Sequence, residues 1–189
     1  PLQCVNKHKR KFWGNVGAGW SEYFVRHENQ LFIIPDNMDD DVAVLMEPAT
    51  VSLHSVLRAP PSENNRVLVI GGGVIGLGIV SALRSLNLRS LEIVLLGRYQ
   101  FQRDKALALG ADKVVDESKT YEAFSEILKT PLFGKKGNQI LNNGFNYVYD
   151  SVSSSSTIND SLRWLAPRGN LLMVGFDERK KHIDLSSVV

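Results

Sequence analysis

Short apolar runs alternate with amphipathic segments from position 66 onward. The amphipathic segments 74–88, 102–109, 121–129 and 158–165 predict helices, and the apolar runs 67–70, 93–96, 113–115, 147–149 and 171–174 predict strands. An apolar run without alternation is typical of a strand that is buried on both faces of a parallel sheet. Strands joined in series by helices therefore predict an α/β fold with a doubly wound parallel sheet of five or six strands.

The first 48 residues do not follow this alternation. The stretch 22–34 predicts two short strands around a polar turn at 26–30. The acids Asp39, Asp40 and Asp41 predict the start of a helix, since acidic side chains complement the amide dipoles of a first turn. Pro48 is expected to interrupt or restart that helix, because proline has no N–H to donate. Further along the chain, residues 133–144 predict a loop-rich connector.

Three glycines follow the first apolar strand at once. Gly71, Gly73 and Gly76 fit the spacing G-x-G-x-x-G, with Val74 and Ile75 between the last two. The first glycine allows a tight turn, the second lets the backbone approach a pyrophosphate, and the third lets the helix pack close to the strand. The anion would lie at the helix N-terminus on free amide groups. The motif predicts a dinucleotide-binding domain of the Rossmann type, the alternative being glycines that serve only the turn and its packing.

The end of the second predicted strand indicates which dinucleotide is bound. An acid that holds the ribose 2′-hydroxyl is expected there, but the sequence has Gly97, Arg98 and Tyr99, with Arg103 one turn further. A small residue followed by arginine leaves room for a 2′-phosphate and supplies a planar, permanently charged partner for it. The prediction is NADP(H), with NAD(H) as the alternative. Arg98 could instead be a solvated loop residue.

Composition narrows the possible partners and location. The chain has 189 residues, a net charge of +2 and one cysteine, Cys4. One cysteine cannot form an intrachain disulfide, which favours a cytoplasmic location. No apolar run reaches the ~20 residues of a membrane-spanning helix, and the small charge predicts no nucleic-acid partner. The basic run 7–11 is interpreted as part of a protein surface and not as a nucleic-acid arm.

Five segments together resemble the medium-chain dehydrogenases of the zinc type, which include alcohol, polyol and threonine dehydrogenases. They are GWSEYFVRHENQLFIIPDNM, EPATVSLHSVL, VLVIGGGVIGLG, LALGADKVVD and LAPRGNLLMVGF, and they keep the family's order. The resemblance implies that residues 1–48 are the end of a GroES-like catalytic domain and that 49–189 are the cofactor domain without its last strand. Most catalytic residues would precede Pro1, so none is assigned here.

The resemblance also implies the reaction and the assembly. The full enzyme would transfer a hydride between NADP(H) and an alcohol or polyol, or the corresponding carbonyl, while zinc polarises the oxygen. A homo-oligomer, dimer or tetramer, is expected. Two alternatives stay open: a zinc-free quinone or enone reductase of the same fold, and a nucleotide-sensing module without catalysis.

Four further residues are assigned by the resemblance. Glu47, before Pro48, matches a ligand of the catalytic zinc, and Cys4 matches the last cysteine of a second zinc-bearing lobe. Ser151, after the fourth strand, and Val174, at the end of the fifth, would line the nicotinamide side of the cleft. The sequence departs from the family in having no second cysteine for the lobe and in the serine run after the fourth strand. Without the resemblance, Glu47 would be interpreted as a solvated or helix-capping residue.

Overall fold

The computed structural model describes residues 22–135, 139–176 and 178–186. They form two compact units that divide between Ala43 and Val44. This division precedes the predicted boundary after Pro48, because Met46 already begins a helix that belongs to the second unit. The assignment of the first unit to a catalytic domain stays a prediction.

The described part of the first unit contains helical turns and no strand. A 3-10 turn covers Glu28–Gln30, and helix α1 covers Asp40–Ala43. The helix start predicted at the acidic run is confirmed, and the Asp39 carboxylate accepts the Asp41 amide at 2.8 Å. The two strands predicted in 22–34 are wrong, because no neighbouring strand among the described residues supplies the ladder hydrogen bonds that a strand needs.

The second unit contains the predicted alternation of strands and helices. Its helices are α2 (Met46–Arg58), α3 (Val74–Ser85), α4 (Gln100–Ala108), α5 (Thr120–Leu128) and α6 (Ser155–Trp164). Its strands are β1 (Arg66–Ile70), β2 (Glu92–Gly97), β3 (Lys113–Asp116), β4 (Leu132–Phe133), β5 (Ile140–Leu141), β6 (Phe145–Asp150) and β7 (Leu165–Met173).

Five of these strands form one parallel sheet in the order β3-β2-β1-β6-β7. Every pairing in it is parallel, so the predicted α/β fold with a doubly wound parallel sheet is confirmed. The chain leaves β1 toward one edge of the sheet and returns from β3 to place β6 on the other side of β1. The carboxyl ends of β1 and β6 therefore flank the point where the strand order reverses, which is where open α/β sheets bind ligands.

Alternate residues of the central strands enter two separate hydrophobic cores. Val67 and Val69 of β1 pack with Ile79 and Leu83 of α3 on one face, a core that also takes in α2 and α4. Leu68 and Ile70 face the opposite side, which α5 and α6 cover. There the ring of Phe124 in α5 makes edge-to-face contacts with Phe145 of β6 and Trp164 of α6. Both faces of the sheet are covered, which explains why the central strands β1 and β2 are apolar after their first residue.

Three elements differ from the sequence prediction. The connector 133–144 contributes to a short antiparallel pair, β4 with β5. Helix α2 begins at Met46, so Pro48 lies in its first turn, where no amide hydrogen bond is lost. Strand β7 begins at Leu165, before the predicted 171, and it accommodates Pro167 because it is an edge strand with a register shift opposite Phe145 and Tyr147.

Candidate nucleotide-binding cleft

The three motif glycines in the turn after β1 differ in what an added side chain would meet. Gly71 has a φ of +96°, and a Cβ there would lie 2.6 Å from the Ser151 Oγ. A Cβ on Gly76 would lie 1.9 Å from the carbonyl oxygen of Gly71, so the first turn of α3 can pack against β1 only without a side chain. A Cβ on Gly73 would meet no atom of the described chain within 4 Å. Gly73 therefore faces open space, where a ligand can approach the backbone.

Gly72, which the motif leaves unspecified, must also be small. A Cβ on Gly72 would lie 2.5 Å from the Cβ of Gln102, whose side chain packs over the turn from α4. Gln102 also accepts a hydrogen bond from the Tyr99 amide at 3.3 Å. The glycine turn and the tip of β2 are thus joined through one side chain, a role that sequence reasoning missed because glutamine at this position carries no motif.

Helix α3 begins without a capping side chain. Its N-cap is Gly73, and no side chain among the described residues accepts a hydrogen bond from its first turn. Helix α6 is different, because Ser154 accepts the amide of Thr157 at 3.1 Å. Amide groups that lack an internal partner at a helix N-terminus are a ready site for an anion. Val74 and Ile75 carry two of these amides at the edge of the cleft.

A buried carboxylate shapes the opposite wall. Asp150, at the end of β6, is fully buried, and its Oδ1 accepts the amides of Val152 at 2.9 Å and Ser153 at 2.8 Å. Its Oδ2 accepts the Thr157 hydroxyl at 2.7 Å. Asp150 therefore holds the loop that follows β6 in a fixed shape. At this position the sequence prediction includes Ser151 and does not identify the structural role of Asp150.

Ser151 and Val174 lie near this wall in different environments. The Ser151 hydroxyl donates to the Ile70 carbonyl at 2.7 Å and lines the cleft beside Gly71. The Val174 amide donates to the Asp150 carbonyl at 2.9 Å, and the Val174 side chain packs against the core that includes α3. Val174 is not among the residues that line the cleft. The structure thus brings Ser151, but not the Val174 side chain, to the predicted site.

The cleft itself follows the carboxyl ends of β1, β2, β3 and β6. Its volume is about 790 Å³, within the ~300–1,000 Å³ that is usual for ligand clefts. Predicted residues that line it are Gly71, Gly73, Val74, Ile75, Arg98, Tyr99 and Ser151. Glu117, Ser118 and Thr157 line it as well. Sequence reasoning missed these three, although Glu117 follows β3, whose carboxyl end must lie at the same edge as those of β1 and β2.

Arg98, at the tip of β2, is paired with Glu117. Its Nε donates to Oε1 of Glu117 at 2.8 Å, and the side chains are 64% and 47% exposed. The hydrogen bond and charge of Glu117, with a smaller effect of the Tyr99 hydroxyl, raise the pKa of Arg98 above its ordinary value. Arg98, which the sequence predicts to contact a 2′-phosphate, therefore lines the cleft. Glu117, which the sequence prediction did not include, lies beside it.

Arg103 supports the backbone at the tip of β2. Its Nη1 donates to the carbonyls of Gly97 at 2.7 Å and Arg98 at 2.9 Å, and it forms an ion pair with Asp116 at 2.6 Å. The side chain is 13% exposed. Arg103 and Gly97 are not among the residues that line the cleft. The geometry favours a structural role for Arg103 over the predicted contact with a ligand.

Asp116 completes this support. It accepts the amide and the hydroxyl of Ser118 at 3.0 and 2.7 Å, and these two bonds, followed by the charge of Arg103, lower the pKa of Asp116. The ends of β2 and β3 are thereby tied together by polar side chains, with Arg98 and Glu117 next to the tie.

The predicted metal ligands do not form a site in the described residues. Glu47 is exposed in the first turn of α2, where its charge complements the helix dipole. Cys4 lies outside the described residues. No group of three or more histidine, cysteine, aspartate or glutamate side chains that could hold a metal occurs in the part of the chain that the structure describes. The described residues alone therefore do not fit zinc.

Helix α2 nevertheless packs closely against α3. The Ser52 hydroxyl donates to the carbonyls of Pro48 at 2.8 Å and Ile75 at 3.1 Å, and a Cβ on Gly78 would lie 2.4 Å from it. Pro48 lines a second, mostly apolar cleft together with Gly73 and Val74. The start of α2, and with it Glu47, is thus held near the glycine turn.

The comparison with known families decides the class of the chain. Residues 74–189, more than half of the chain, match the model of a family described as zinc-binding dehydrogenase. The chain belongs to the zinc-binding dehydrogenase family. The resemblance to zinc-type medium-chain dehydrogenases that the sequence indicates is confirmed.

Two curated proteins illustrate the similarity of this chain to known proteins, which is moderate in identity. The starvation-sensing protein RspB of Escherichia coli K12 is 28% identical over 170 residues, which are 89% of this chain and 46% of that protein. The (R,R)-butanediol dehydrogenase of Bacillus subtilis is 35% identical over 111 residues, 59% of this chain and 31% of that protein. This chain therefore spans less than half the length of these relatives.

A solved structure agrees with the fold of this chain. The crystal structure of an E. coli CFT073 protein described as a short chain alcohol dehydrogenase (rspB), in complex with NADH, superposes with a TM-score of 0.66 at 27% identity. It covers 83% of this chain and 43% of that one. In the described residues, no helix has the length and apolar character to cross a membrane.

Proposed function

We propose that this chain binds a nicotinamide dinucleotide, NADP(H) in preference to NAD(H), and that it serves hydride transfer between the cofactor and an alcohol or polyol, or the corresponding carbonyl. The observation that carries the proposal is the uncapped N-terminus of α3, reached through a glycine turn, in the same cleft as Arg98. Family membership supports an oxidoreductase, and the NADH complex of the E. coli relative supports a nicotinamide dinucleotide as the ligand class.

The glycine turn supports binding of the pyrophosphate. Gly73 leaves open space beside the first amides of α3, and a diphosphate there would accept hydrogen bonds from Val74 and Ile75. Only backbone amides make this contact, and no side chain takes part in it. It should therefore be the same for both dinucleotides, and it gives affinity without discriminating between NAD(H) and NADP(H).

Arg98 supports the preference for the phosphorylated cofactor. The 2′-phosphate adds up to two negative charges and three acceptor oxygens, and an arginine fork in the cleft can meet them with charge-assisted hydrogen bonds. Such a bond is expected to strengthen binding about ten- to a hundredfold. The tip of β2 carries glycine at position 97, so no carboxylate of β2 would repel the phosphate.

The chemistry of the reaction would come from the bound nicotinamide, which carries the hydride. The chain's own contribution is to hold the dinucleotide in one orientation. Asp150 fixes the loop that carries Ser151, and Ser151 packs against Gly71 at the centre of the cleft. We assign no step to zinc, because the described residues do not form a metal site.

The test is a change of cofactor preference. The double substitution Gly97→Asp with Arg98→Ala removes the attraction for a 2′-phosphate and supplies an acceptor for the ribose 2′-hydroxyl. We expect NADPH affinity to fall about ten- to a hundredfold and NADH affinity to hold or improve. Titration of nicotinamide fluorescence at fixed ionic strength measures both.

A matched control is needed because position 97 is crowded. A Cβ there would lie 3.1 Å from Leu95 Cδ2 and 3.3 Å from Arg103 Cγ, so these side chains must shift slightly. The pair Gly97→Ala with Arg98→Ala has the same crowding and lacks the carboxylate. It should lose NADPH affinity without gaining NADH affinity. Equal preference ratios in the wild type and both double variants would contradict the cofactor assignment.

Glu47 remains a proposed zinc ligand that requires partners from outside the described residues. If it is a ligand, Glu47→Gln lowers the zinc bound per chain, while NADPH affinity stays within about twofold because α2 keeps its contacts with α3. Metal analysis after dialysis measures the stoichiometry. Unchanged zinc content in the variant would assign Glu47 to the helix start alone.

A further inference from the structure

The ion pair between Arg98 and Glu117 lies inside the cleft and not on a remote surface. Both side chains line the same cavity, and the Nε of Arg98 is bonded to the Glu117 carboxylate at 2.8 Å. The arginine that is proposed to bind the 2′-phosphate is therefore already in contact with a carboxylate of the same chain, that of Glu117. No motif assigns Glu117, and the cofactor prediction does not include it.

We propose that Glu117 is a specificity-determining residue that competes with the 2′-phosphate for Arg98 and so reduces the preference for NADP(H) over NAD(H). The proposal rests on the proposed function of the cleft. A phosphate that approaches Arg98 must either displace Glu117 or share the guanidinium with it. NAD(H), which has a hydroxyl at the same position, leaves the ion pair intact.

The competition is specific to Glu117 among the acids near the tip of β2. Asp116 already accepts two hydrogen bonds from Ser118 and forms an ion pair with Arg103, so both of its carboxylate oxygens are engaged by other side chains. Glu117 is half-exposed and has a flexible side chain, so it can move without unfolding β3. The Tyr99 side chain also interacts with Arg98, but it has no carboxylate that would compete with a phosphate.

The size of the effect follows from the exposure of the pair. A full charge within several ångströms, in a site that water reaches, changes the affinity of a second anion by about three- to tenfold. That is less than the contribution of Arg98 itself. The wild type should therefore still prefer the phosphorylated ligand, but by a smaller factor than an arginine without an acidic partner would give.

The experiment uses two probes that lack the nicotinamide half: 2′,5′-ADP, which carries the 2′-phosphate, and 5′-AMP, which does not. The variants are Glu117→Gln, Arg98→Ala and the double variant. Glu126→Gln is the control, since it removes the same charge from an exposed position on α5 that is not part of the cleft lining. Dissociation constants are measured by titration of the whole chain at fixed ionic strength.

The expected result is that Glu117→Gln binds 2′,5′-ADP about three- to tenfold more tightly, that 5′-AMP changes by less than about twofold, and that Glu126→Gln resembles the wild type. The gain should largely disappear when Arg98→Ala is also present. Retained 5′-AMP binding shows that each variant is folded.

Three results would overturn the competition. Unchanged or weaker 2′,5′-ADP binding in Glu117→Gln would mean that Glu117 is inert or positions Arg98. An equal gain with Arg98→Ala present would mean direct repulsion without competition. An equal gain in Glu126→Gln would mean a general charge effect. Failure of the proposed cofactor preference is a separate outcome, because Arg98→Ala would then leave the ratio of 2′,5′-ADP to 5′-AMP affinity unchanged.

Discussion

The glycine turn after β1 and the tip of β2 lie in one cleft, but they are built in opposite ways. The turn is made of backbone, and at Gly76 a single added carbon would lie 1.9 Å from the Gly71 carbonyl oxygen. The tip is made of charged side chains that pair with one another, and the pair nearest the ligand space, Arg98 with Glu117, is exposed. Steric limits define the first region, and the balance between charges defines the second.

Because of this difference, we expect the turn to govern the affinity for any dinucleotide and the tip to govern the choice between NADP(H) and NAD(H). A change in the turn alters the shape available to any dinucleotide, and at Gly76 it also affects the fold of the α3 N-terminus. A change in the exposed pair of Arg98 and Glu117 alters the attraction for one phosphate and leaves the fold intact, because exposed ion pairs contribute little to stability. Substitutions in the turn should therefore have the largest effects on affinity, and those of Arg98 and Glu117 should mainly change the ratio of NADPH to NADH affinity.

Gly76→Ala should have the largest effect. The new Cβ would collide with the Gly71 carbonyl, so the turn or α3 must move. We expect a stability loss of about 1–3 kcal/mol and a fall in NADPH and NADH affinity of about a hundredfold or more, to the level of non-specific binding. Urea unfolding and fluorescence titration measure the two effects. Retained affinity for both dinucleotides would contradict the packing role of Gly76.

Gly73→Ala adds the same methyl group where it meets open space, and it is the matched counterpart of Gly76→Ala. Its free energy of unfolding should stay within about 0.5 kcal/mol of the wild type. Both dinucleotides should nevertheless bind about tenfold or more weakly, because the methyl group occupies the position of the pyrophosphate. Equal dinucleotide affinity in Gly73→Ala and the wild type would show that the pyrophosphate does not lie against this turn.

Arg103→Ala tests whether support at the β2 tip can be separated from ligand contact. Removal of a mostly buried guanidinium that holds two carbonyls should cost about 1–3 kcal/mol of stability. Both cofactors should bind more weakly, with the ratio of their affinities unchanged within about twofold. Lys105→Ala, at an exposed position of the same helix, is the control. A selective loss of NADPH affinity would instead make Arg103 a phosphate ligand, as the sequence predicts.

Asp116→Asn should have the smallest effect, which is a change in how the free energy of unfolding depends on pH. The pKa of Asp116 is lowered in the folded chain, so its contribution to stability is present above its ordinary pKa and is lost as the pH falls through the lowered value. Between about pH 6 and pH 3, the wild type should therefore lose more stability than Asp116→Asn. Urea midpoints at both pH values measure the difference.

The control for the pH dependence is Asp104→Asn, which removes an exposed carboxylate bonded to the uncharged amide of Gln100. It should follow the wild type across the same range. If Asp116→Asn and Asp104→Asn have identical pH profiles, the tie between β2 and β3 does not depend on the charge of Asp116.

Features that depend on residues close together in the sequence were largely predicted correctly. Contacts between residues that are distant in the sequence were mostly missed. The alternation of strands and helices and the glycine turn were found because β1, Gly71–Gly76 and α3 are consecutive. Glu117 was missed because it is 19 residues from Arg98, and only the parallel order of β2 and β3 brings the two together. Arg103 was assigned as a ligand from its position alone, whereas its carbonyl contacts depend on how the tip of β2 folds back.

Two further differences have a similar cause. The apolar residues of 22–34 predicted strands, but a strand requires a partner, and none is present among the described residues. The predicted domain boundary after Pro48 cuts through the first turn of α2, because the sequence does not show that α2 packs against α3, where the Ser52 hydroxyl donates to the Ile75 carbonyl. In both cases the pattern along the chain lacked the information about contacts.

The central claim is that this cleft binds a nicotinamide dinucleotide through the glycine turn and prefers the one with a 2′-phosphate through Arg98. The most direct measurement is the titration of the wild-type chain with NADPH and with NADH at the same ionic strength, followed by nicotinamide fluorescence. We predict that both bind and that NADPH binds about three- to tenfold more tightly, with a preference that shrinks as salt is added. Equal or tighter binding of NADH, or no binding of either dinucleotide, would contradict the account.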